Sequence, residues 1–350
     1  MSTIFKLLLN ISTAIFVCGN VQAQDEIEKF QQKKKAELEY NKGIDFLKNE
    51  KYTEASQNFT AAIELSPSFD QAYLQRAKAK FELKDHSGAI EDLSKTIEMN
   101  PKNGEAYFCI GLYHLFTDTS KASIETFDNA IAANFNPSYV YYYRGILKKY
   151  KNDYRGAVND FTTSIEKKPE DKNAYFDRAC TRMLLGDNQG AIYDFRQVLA
   201  IDSNFVEVYN NLGNAKIITG DYPGALADLN KLLLVQPRNY KALVNRGTTH
   251  FQTNNFENAL LDYQAASDVN ATYDKAFVGM GNTLIKTNKL KEAIEQFNKA
   301  IELNPGNADA FMNRGLAKEL TGDIDGACSD WKNAVKLGNT IASNFTQECK

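Results

Sequence analysis

Cysteine and histidine are scarce, with five Cys and three His in 350 residues, and no CxxC or HExxH spacing occurs. A zinc centre or a dithiol redox centre therefore has no support, and no cofactor is expected. Glycine-rich phosphate loops are missing as well. The only long apolar run is at the extreme N-terminus and the mean hydropathy is −0.45. Nothing approaches the roughly 20 apolar residues that span a bilayer, so no integral membrane segment is expected in the mature chain. Charge of one sign is absent too: 41 Lys and Arg face 44 Asp and Glu, a net −3, which is a poor footprint for nucleic-acid binding. What remains, 43% hydrophobic and 24% charged residues, is the balance of a folded soluble protein.

The first 23 residues read as an export signal. Lys6 supplies the positive end, Leu7 to Val17 the apolar stretch, and Val21-Gln22-Ala23 a small-residue cleavage site. The rival is a lipoprotein signal using Cys18, against which stands the bulk of Val17 before it. An exported chain, periplasmic or extracellular, is the expectation. Residues 24–35 are charged and include Lys33-Lys34-Lys35, reading as a solvated linker or a frayed first helix.

From Ala36 the chain divides into nine consecutive frames of 34 residues, with no insertion, ending at Ile341 (36–69, 70–103, 104–137, 138–171, 172–205, 206–239, 240–273, 274–307 and 308–341). The eighth place of each copy is Gly43, Ala77, Gly111, Gly145, Ala179, Gly213, Gly247, Gly281 and Gly315: always Gly or Ala. The twentieth is Ala in every copy except Ser123. The twenty-fourth is large: Phe59, Leu93, Phe127, Phe161, Phe195, Leu229, Tyr263, Phe297 and Trp331. Places 4, 8 and 11 share one face of a first helix, and places 20, 24 and 27 one face of a second. Small residues let the two backbones approach, and the large one fills the gap beside them. Pro at the thirty-second place (Pro67, Pro101, Pro169, Pro237, Pro305) stops the second helix, while Phe135, Ser203, Ala271 and Asn339 stand there in other copies.

This pattern resembles the tetratricopeptide repeat family over 306 of the 350 residues, nine frames of 34. The resemblance implies an all-α fold, a right-handed solenoid of nine helix-turn-helix repeats. Its first helices would line a concave groove, in a family that mostly binds peptides, helices or partner proteins. Residues 342–350 continue the frame and are expected to form a capping helix.

Two columns add chemistry. Arg76, Arg144, Arg178, Arg246 and Arg314 at the seventh place occur in copies that carry Asp92, Asp160, Asp194, Asp262 and Asp330 at the twenty-third. Only Leu212 with Asp228 breaks the correlation. A salt bridge within each helix pair is favoured over an anion site, because each Arg already has its carboxylate. The eleventh place is Lys80, His114, Lys148, Arg182, Lys216, His250 and Lys318 in seven copies. These read as ion pairs with the same acidic helices rather than as a polyanion-binding stripe. His86, His114 and His250 fall in separate copies with no nucleophile or carboxylate cluster, so no catalytic residues are expected, and a cryptic hydrolase stands only as the alternative of another class.

Function then falls to the groove, which the family lines at places 2, 5, 9, 12 and 13. Copies two to five contribute Leu74, Phe81, Phe108, Leu115, Phe116, Tyr139, Tyr142, Tyr150, Phe176 and Met183, either a partner-binding surface or packing between first helices. Copies six to eight are polar. Asn214, Asn245 and Lys275 match family positions that clamp a terminal carboxylate, whereas Asn210 and Gly279 stand where cations belong. The expected function is a non-enzymatic scaffold for a peptide or protein partner, supporting assembly of a larger complex. Recognition of a polar ligand such as a glycan or cell-wall fragment is the alternative. Cys328 and Cys349 are candidates for a disulfide, since Cys328 takes a place filled by Ile, Val or Leu in seven copies and Cys349 follows in the tail; two independent thiols are the other reading.

Overall fold

The computed structural model describes residues 3–117 and 123–349. The expected leader, residues 1–23, lies outside the residues whose side chains are described. Among the described residues there are helices and no strands. They form two compact units, Met1–Asp153 and Tyr154–Lys350.

The first unit contains α1 (Thr3–Lys48), α2 (Tyr52–Leu65), α3 (Asp70–Glu82), α4 (His86–Met99), α5 (Gly104–Thr117), α6 (Ile124–Ala132) and α7 (Ser138–Tyr150). Residues 24–35 belong to α1. The second contains α8 (Tyr154–Lys167), α9 (Lys172–Leu184), α10 (Asn188–Ile201), α11 (Glu207–Thr219), α12 (Tyr222–Val235), α13 (Tyr240–Gln252), α14 (Phe256–Val269), α15 (Asp274–Lys286), α16 (Leu290–Leu303), α17 (Ala308–Leu320) and α18 (Ile324–Lys336). In each unit successive helices pack on one another, and alternate ones such as α5 and α7, or α13 and α15, also touch. Each unit by itself is thus a solenoid-type stack in which each helix covers the apolar face of the next.

The 34-residue frame has a local cause at each corner. Between the two helices of a pair, the fifteenth place takes a left-handed backbone: Glu50, Lys84, Asn152, Asn254 and Asn288 at φ of 58–64°, and Gly186, Gly220 and Gly322 at 80–88°. Glycine enters this region without a Cβ clash, and Asn tolerates it. The next N–H then reaches back five residues, as from Asp85 to the Lys80 carbonyl and from Asp187 to that of Arg182, both at 2.9 Å. That bond closes the first helix in the manner of a Schellman cap. The same Asp85 and Asp187 side chains accept from Gly88 and Gly190 and start the second helix.

Copies without Pro at the thirty-second place end by other means. Asn134 and Gly338 turn left-handed. Asp202 and Asn270 accept from the N–H two residues on, at 3.0 and 3.1 Å. Ser123 has left the helix-packing role of its column and caps α6 through Glu125 N–H.

Packing follows the small and large columns. Phe59, Phe127, Phe161, Phe195 and Phe297 are completely buried, as is every Ala at the twentieth place. A Cβ on Gly43 or Gly281 would stand 2.6 Å from the rings of Phe59 and Phe297, so glycine here is a condition of close approach.

The tail differs from the expected capping α-helix. It forms two short 3₁₀ turns, Ile341–Asn344 and Thr346–Glu348. Gly338 breaks α18 at φ 93°. Asn339 Oδ1 then accepts from Ala342 N–H at 3.0 Å, and the Ser343 and Thr346 hydroxyls donate to the carbonyls of Thr340 and Ser343. Such local bonds compete with helix, and so short a segment cannot offset helix nucleation. The tail still covers the last pair. Ala342 is buried beside Met312, Trp331 and Ala334, and the Phe345 ring lies 5.1 Å from that of Trp331. Cys328 and Cys349 are joined by a disulfide, with their Cα atoms 5.5 Å apart.

Candidate functional site

The first helices of the first unit carry an aromatic face. Within α3 and α5, Lys78, Phe81, Glu82, Cys109, Leu112, Tyr113, Phe116 and Thr117 line a cavity of about 280 Å³. Phe81 stacks on Tyr113 at 5.4 Å and Phe116 meets Tyr143 edge-on at 5.8 Å. Phe116 is 70% exposed and Tyr150 65%, so two large aromatic rings face water. Tyr139 is partly exposed and lies 5.0 Å from Phe108, and Tyr142 is half-buried against Tyr143 at 5.2 Å. Lys78 pairs with Glu105 at 2.8 Å. Burial pushes the Cys109 thiol up to about 11, which keeps it protonated at neutral pH.

Three of the expected groove residues belong to the core. Leu74, Phe108 and Leu115 are buried and pack into the apolar clusters of the first unit. Places 5 and 12 point at neighbouring helices in these copies, where an apolar side chain fills space instead of presenting it. In the second unit Phe176 lies between Phe195 and Phe205, at 5.8 and 5.5 Å, and Met183 packs on the same cluster. Both are half-buried supports.

The second unit holds a polar cavity of about 470 Å³ among α11, α13 and α15. It brings together Asn214, Asn245 and Lys275 with Asn210, Lys241, Thr248, Gln252 and Asn282. Asn245 donates to Asn210 at 2.9 Å. No carboxylate lines this cavity, while two lysines do. Gly279 stands where the family clamp has a cation, because a Cβ there would lie 2.5 Å from the ring of Tyr263. That ring is buried and its hydroxyl donates to Thr248 at 3.1 Å; burial pushes the phenol up to about 12.

The Arg and Asp columns are structural ties with more reach than their sequence pattern suggests. Arg76, Arg178, Arg246 and Arg314 grip Asp92, Asp194, Asp262 and Asp330 through Nε and Nη2 at 2.6–2.9 Å. Their Nη1 donates to the preceding copy at its twenty-fifth place: Thr60, Thr162, Asn230 and Asn298, at 2.7–3.1 Å. Arg144 does the same with Asp128 at 2.6 Å. Four of these guanidiniums also lie 5.4–5.5 Å from the ring at the fourth place, Tyr73, Tyr141, Tyr175 or Phe311. The basic column at the eleventh place joins the same carboxylates: Lys80, Arg182, Lys216 and Lys318 lie 2.6–2.9 Å from Asp92, Asp194, Asp228 and Asp330. Lys216 makes up for Leu212, which offers Asp228 no guanidinium. Among the described residues, no group of three metal-ligating side chains gathers.

Helix pairs repeating every 34 residues, closed by left-handed turns and packed small against large, define a helical repeat protein of the helix-turn-helix solenoid class. A tetratricopeptide repeat model matches residues 40–104 and 210–274, and a second TPR repeat model matches residues 181–217 and 281–322. The chain belongs to the tetratricopeptide repeat family. No match is found among curated proteins. Among solved structures it is similar to PilW, a widely conserved type IV pilus biogenesis factor, at 21% identity over 58% of this chain and 93% of that one, with a TM-score of 0.52. PilF of Pseudomonas aeruginosa is 18% identical over 61% of this chain and 97% of that one, at a TM-score of 0.50. Both likenesses show the fold. YrrB, a TPR protein with an unusual peptide-binding site, is 24% identical over 54% of this chain and 97% of that one, at a TM-score of 0.40.

Proposed function

We propose that the chain is an exported, non-enzymatic scaffold whose aromatic face on α3, α5 and α7 captures a peptide or partner protein and so supports assembly of a larger complex. The observation that carries this is the pair of exposed rings, Phe116 and Tyr150, with Phe116 at the mouth of the 280 Å³ apolar cavity. An exposed ring that borders an apolar cavity, as Phe116 does, forms a contiguous apolar surface of the kind partners use, and a ring or aliphatic anchor of a partner entering the cavity would contribute about 1.5–3 kcal/mol. The cavity suits a side chain, and Phe116 and Tyr150 offer further aromatic surface to the residues that flank it. Panning the chain against a displayed peptide library tests this. Selected peptides should share an apolar anchor and lose binding to a Phe116→Ala, Tyr150→Ala double variant that keeps its helical signal. Equal capture by that variant sinks the reading.

A second reading rests on the polar cavity of the second unit. Lys241 and Lys275, with amides around them and no carboxylate in the lining, suit a polar ligand carrying negative charge, such as an acidic glycan fragment. Titration with an oligogalacturonate and its methyl ester separates charge recognition from crowding: only the free acid should bind, and Lys241→Gln should abolish it.

A further inference from the structure

The end of the second unit is closed by a segment that has little of its own to hold it. Residues 341–349 form only two 3₁₀ turns, and Ile341, Ser343, Asn344 and Gln347 lie exposed. What attaches the segment is narrow: Ala342 buried against the last helix pair, the Phe345 ring 5.1 Å from Trp331, and the disulfide from Cys349 to Cys328 on α18. Beneath it lie Met312, Trp331 and Ala334, which are buried. Trp331 also donates to the Met312 carbonyl at 3.3 Å. Both cysteines are only half-buried, between the exposed residues of the tail and α18, so the disulfide can be approached from outside.

We propose that residues 341–349 are a thiol-releasable lid, clasped by the Cys328–Cys349 disulfide over the apolar end of the last repeat. Release is a thiol–disulfide exchange with an external dithiol. Its thiolate attacks the Cys349 sulfur, the sulfur–sulfur bond breaks, and the bonding pair leaves on Cys328, which takes a proton. The second thiol of the reagent then displaces Cys349 from the mixed disulfide. The reagent ends as a disulfide and the protein as two thiols, two electrons and two protons richer. Without the clasp the contact of the tail with the last repeat rests on Phe345 and Ala342, with only local hydrogen bonds among its own residues beside them. A short segment so thinly attached opens locally. Release uncovers Trp331 and leaves the last helix pair without its cover, the condition in which a repeat stack exposes apolar surface at its end.

The chain has a single tryptophan, so its emission reports this site alone. The full chain, oxidised with glutathione disulfide, should emit at short wavelength and resist acrylamide quenching. Dithiothreitol should move the emission to longer wavelength and raise quenching while the far-ultraviolet helix signal holds. A Cys328→Ser, Cys349→Ser variant should read like the reduced protein under both conditions. Phe345→Ala, with the clasp intact, should show the same red shift, since it removes the ring that covers Trp331. Emission that stays at its oxidised value after alkylation has shown both thiols free would overturn the proposal. So would a Phe345→Ala variant that emits like the parent, or alkylation of both cysteines after oxidation. Should the double serine variant lose its helix signal, the reduction experiment on the parent chain decides alone.

Discussion

Asp194 is held by two guanidiniums at once, Arg178 through a bidentate pair at 2.8 and 2.9 Å and Arg182 through a third bond at 2.7 Å, with no part of the carboxylate side chain exposed. The acid and Arg178 are both buried, Arg182 is partly exposed, and the two arginines share the compensation of the acid's charge. Asp194→Ala is therefore expected to cost about 3–5 kcal/mol. It leaves the buried Arg178 with no carboxylate, only the Thr162 hydroxyl and the Tyr175 ring, and takes from Arg182 its nearer acid, leaving Asp187 at 3.6 Å. Arg178→Ala should cost less, since Arg182 still faces the carboxylate. Thermal melts of both variants check the order, and a larger loss for Arg178→Ala contradicts it.

In the seventh copy the corresponding partner is His250, whose Nε2 lies 3.9 Å from Asp262. Burial pulls its pKa below the usual imidazole value, against the opposing pull of Asp262, and Arg246 adds to the lowering. The unfolded chain therefore binds the proton at a higher pH than the folded one, so stability falls as pH drops through about 6.5 toward the lower folded value. Above about 6.5 this residue contributes no pH dependence. Between about pH 7 and pH 5, His250→Gln should lose less stability than the parent. Parallel melting curves against pH for the two proteins would count against this assignment.

Exposed and buried members of the aromatic set should part company on mutation. Phe116→Ala and Tyr150→Ala are expected to change stability by no more than about 0.5 kcal/mol while removing partner capture. Leu74→Ala, buried among Ala77, Leu93 and Ala106, should cost about 2–5 kcal/mol. Urea titrations beside a binding assay separate the two groups.

Glycines at the eighth place should differ by the ring each faces. A Cβ at Gly281 meets Phe297 at 2.6 Å, whereas one at Gly111 meets Phe127 at 3.1 Å. Gly281→Ala is expected to lose about 1–3 kcal/mol through overpacking, and Gly111→Ala less. Reversal of that order in melting temperature would show that helix spacing adjusts more easily than the packing implies.

The repeat frame was legible because small and large residues recur in phase, and packing demands both in every copy. The Arg–Asp contact was legible for a related reason: Arg178 and Asp194 change together from copy to copy. The third bond of each Arg was hidden, since Thr60, Asp128, Thr162, Asn230 and Asn298 have only an acceptor oxygen in common. Leu74 and Phe108 were read as groove residues because an apolar side chain at those places serves contact with a partner and contact with the next helix equally well. Only burial separates the two. The tail escaped its frame because hydroxyl and amide bonds in Asn339–Thr346 act over two or three residues, below the reach of a 34-residue periodicity.

The fork of each Arg into the preceding copy makes the copies unequal as modules. Removing residues 206–239 would set Arg246 against Arg196, the residue then at the twenty-fifth place before it, and two guanidiniums would face one another. Removing residues 274–307 would instead bring Arg314 to Gln264, an amide able to accept its bond. Loss or duplication of a unit in such an array is thus filtered at the joints, and the order of copies along the chain records which neighbours each one can bear.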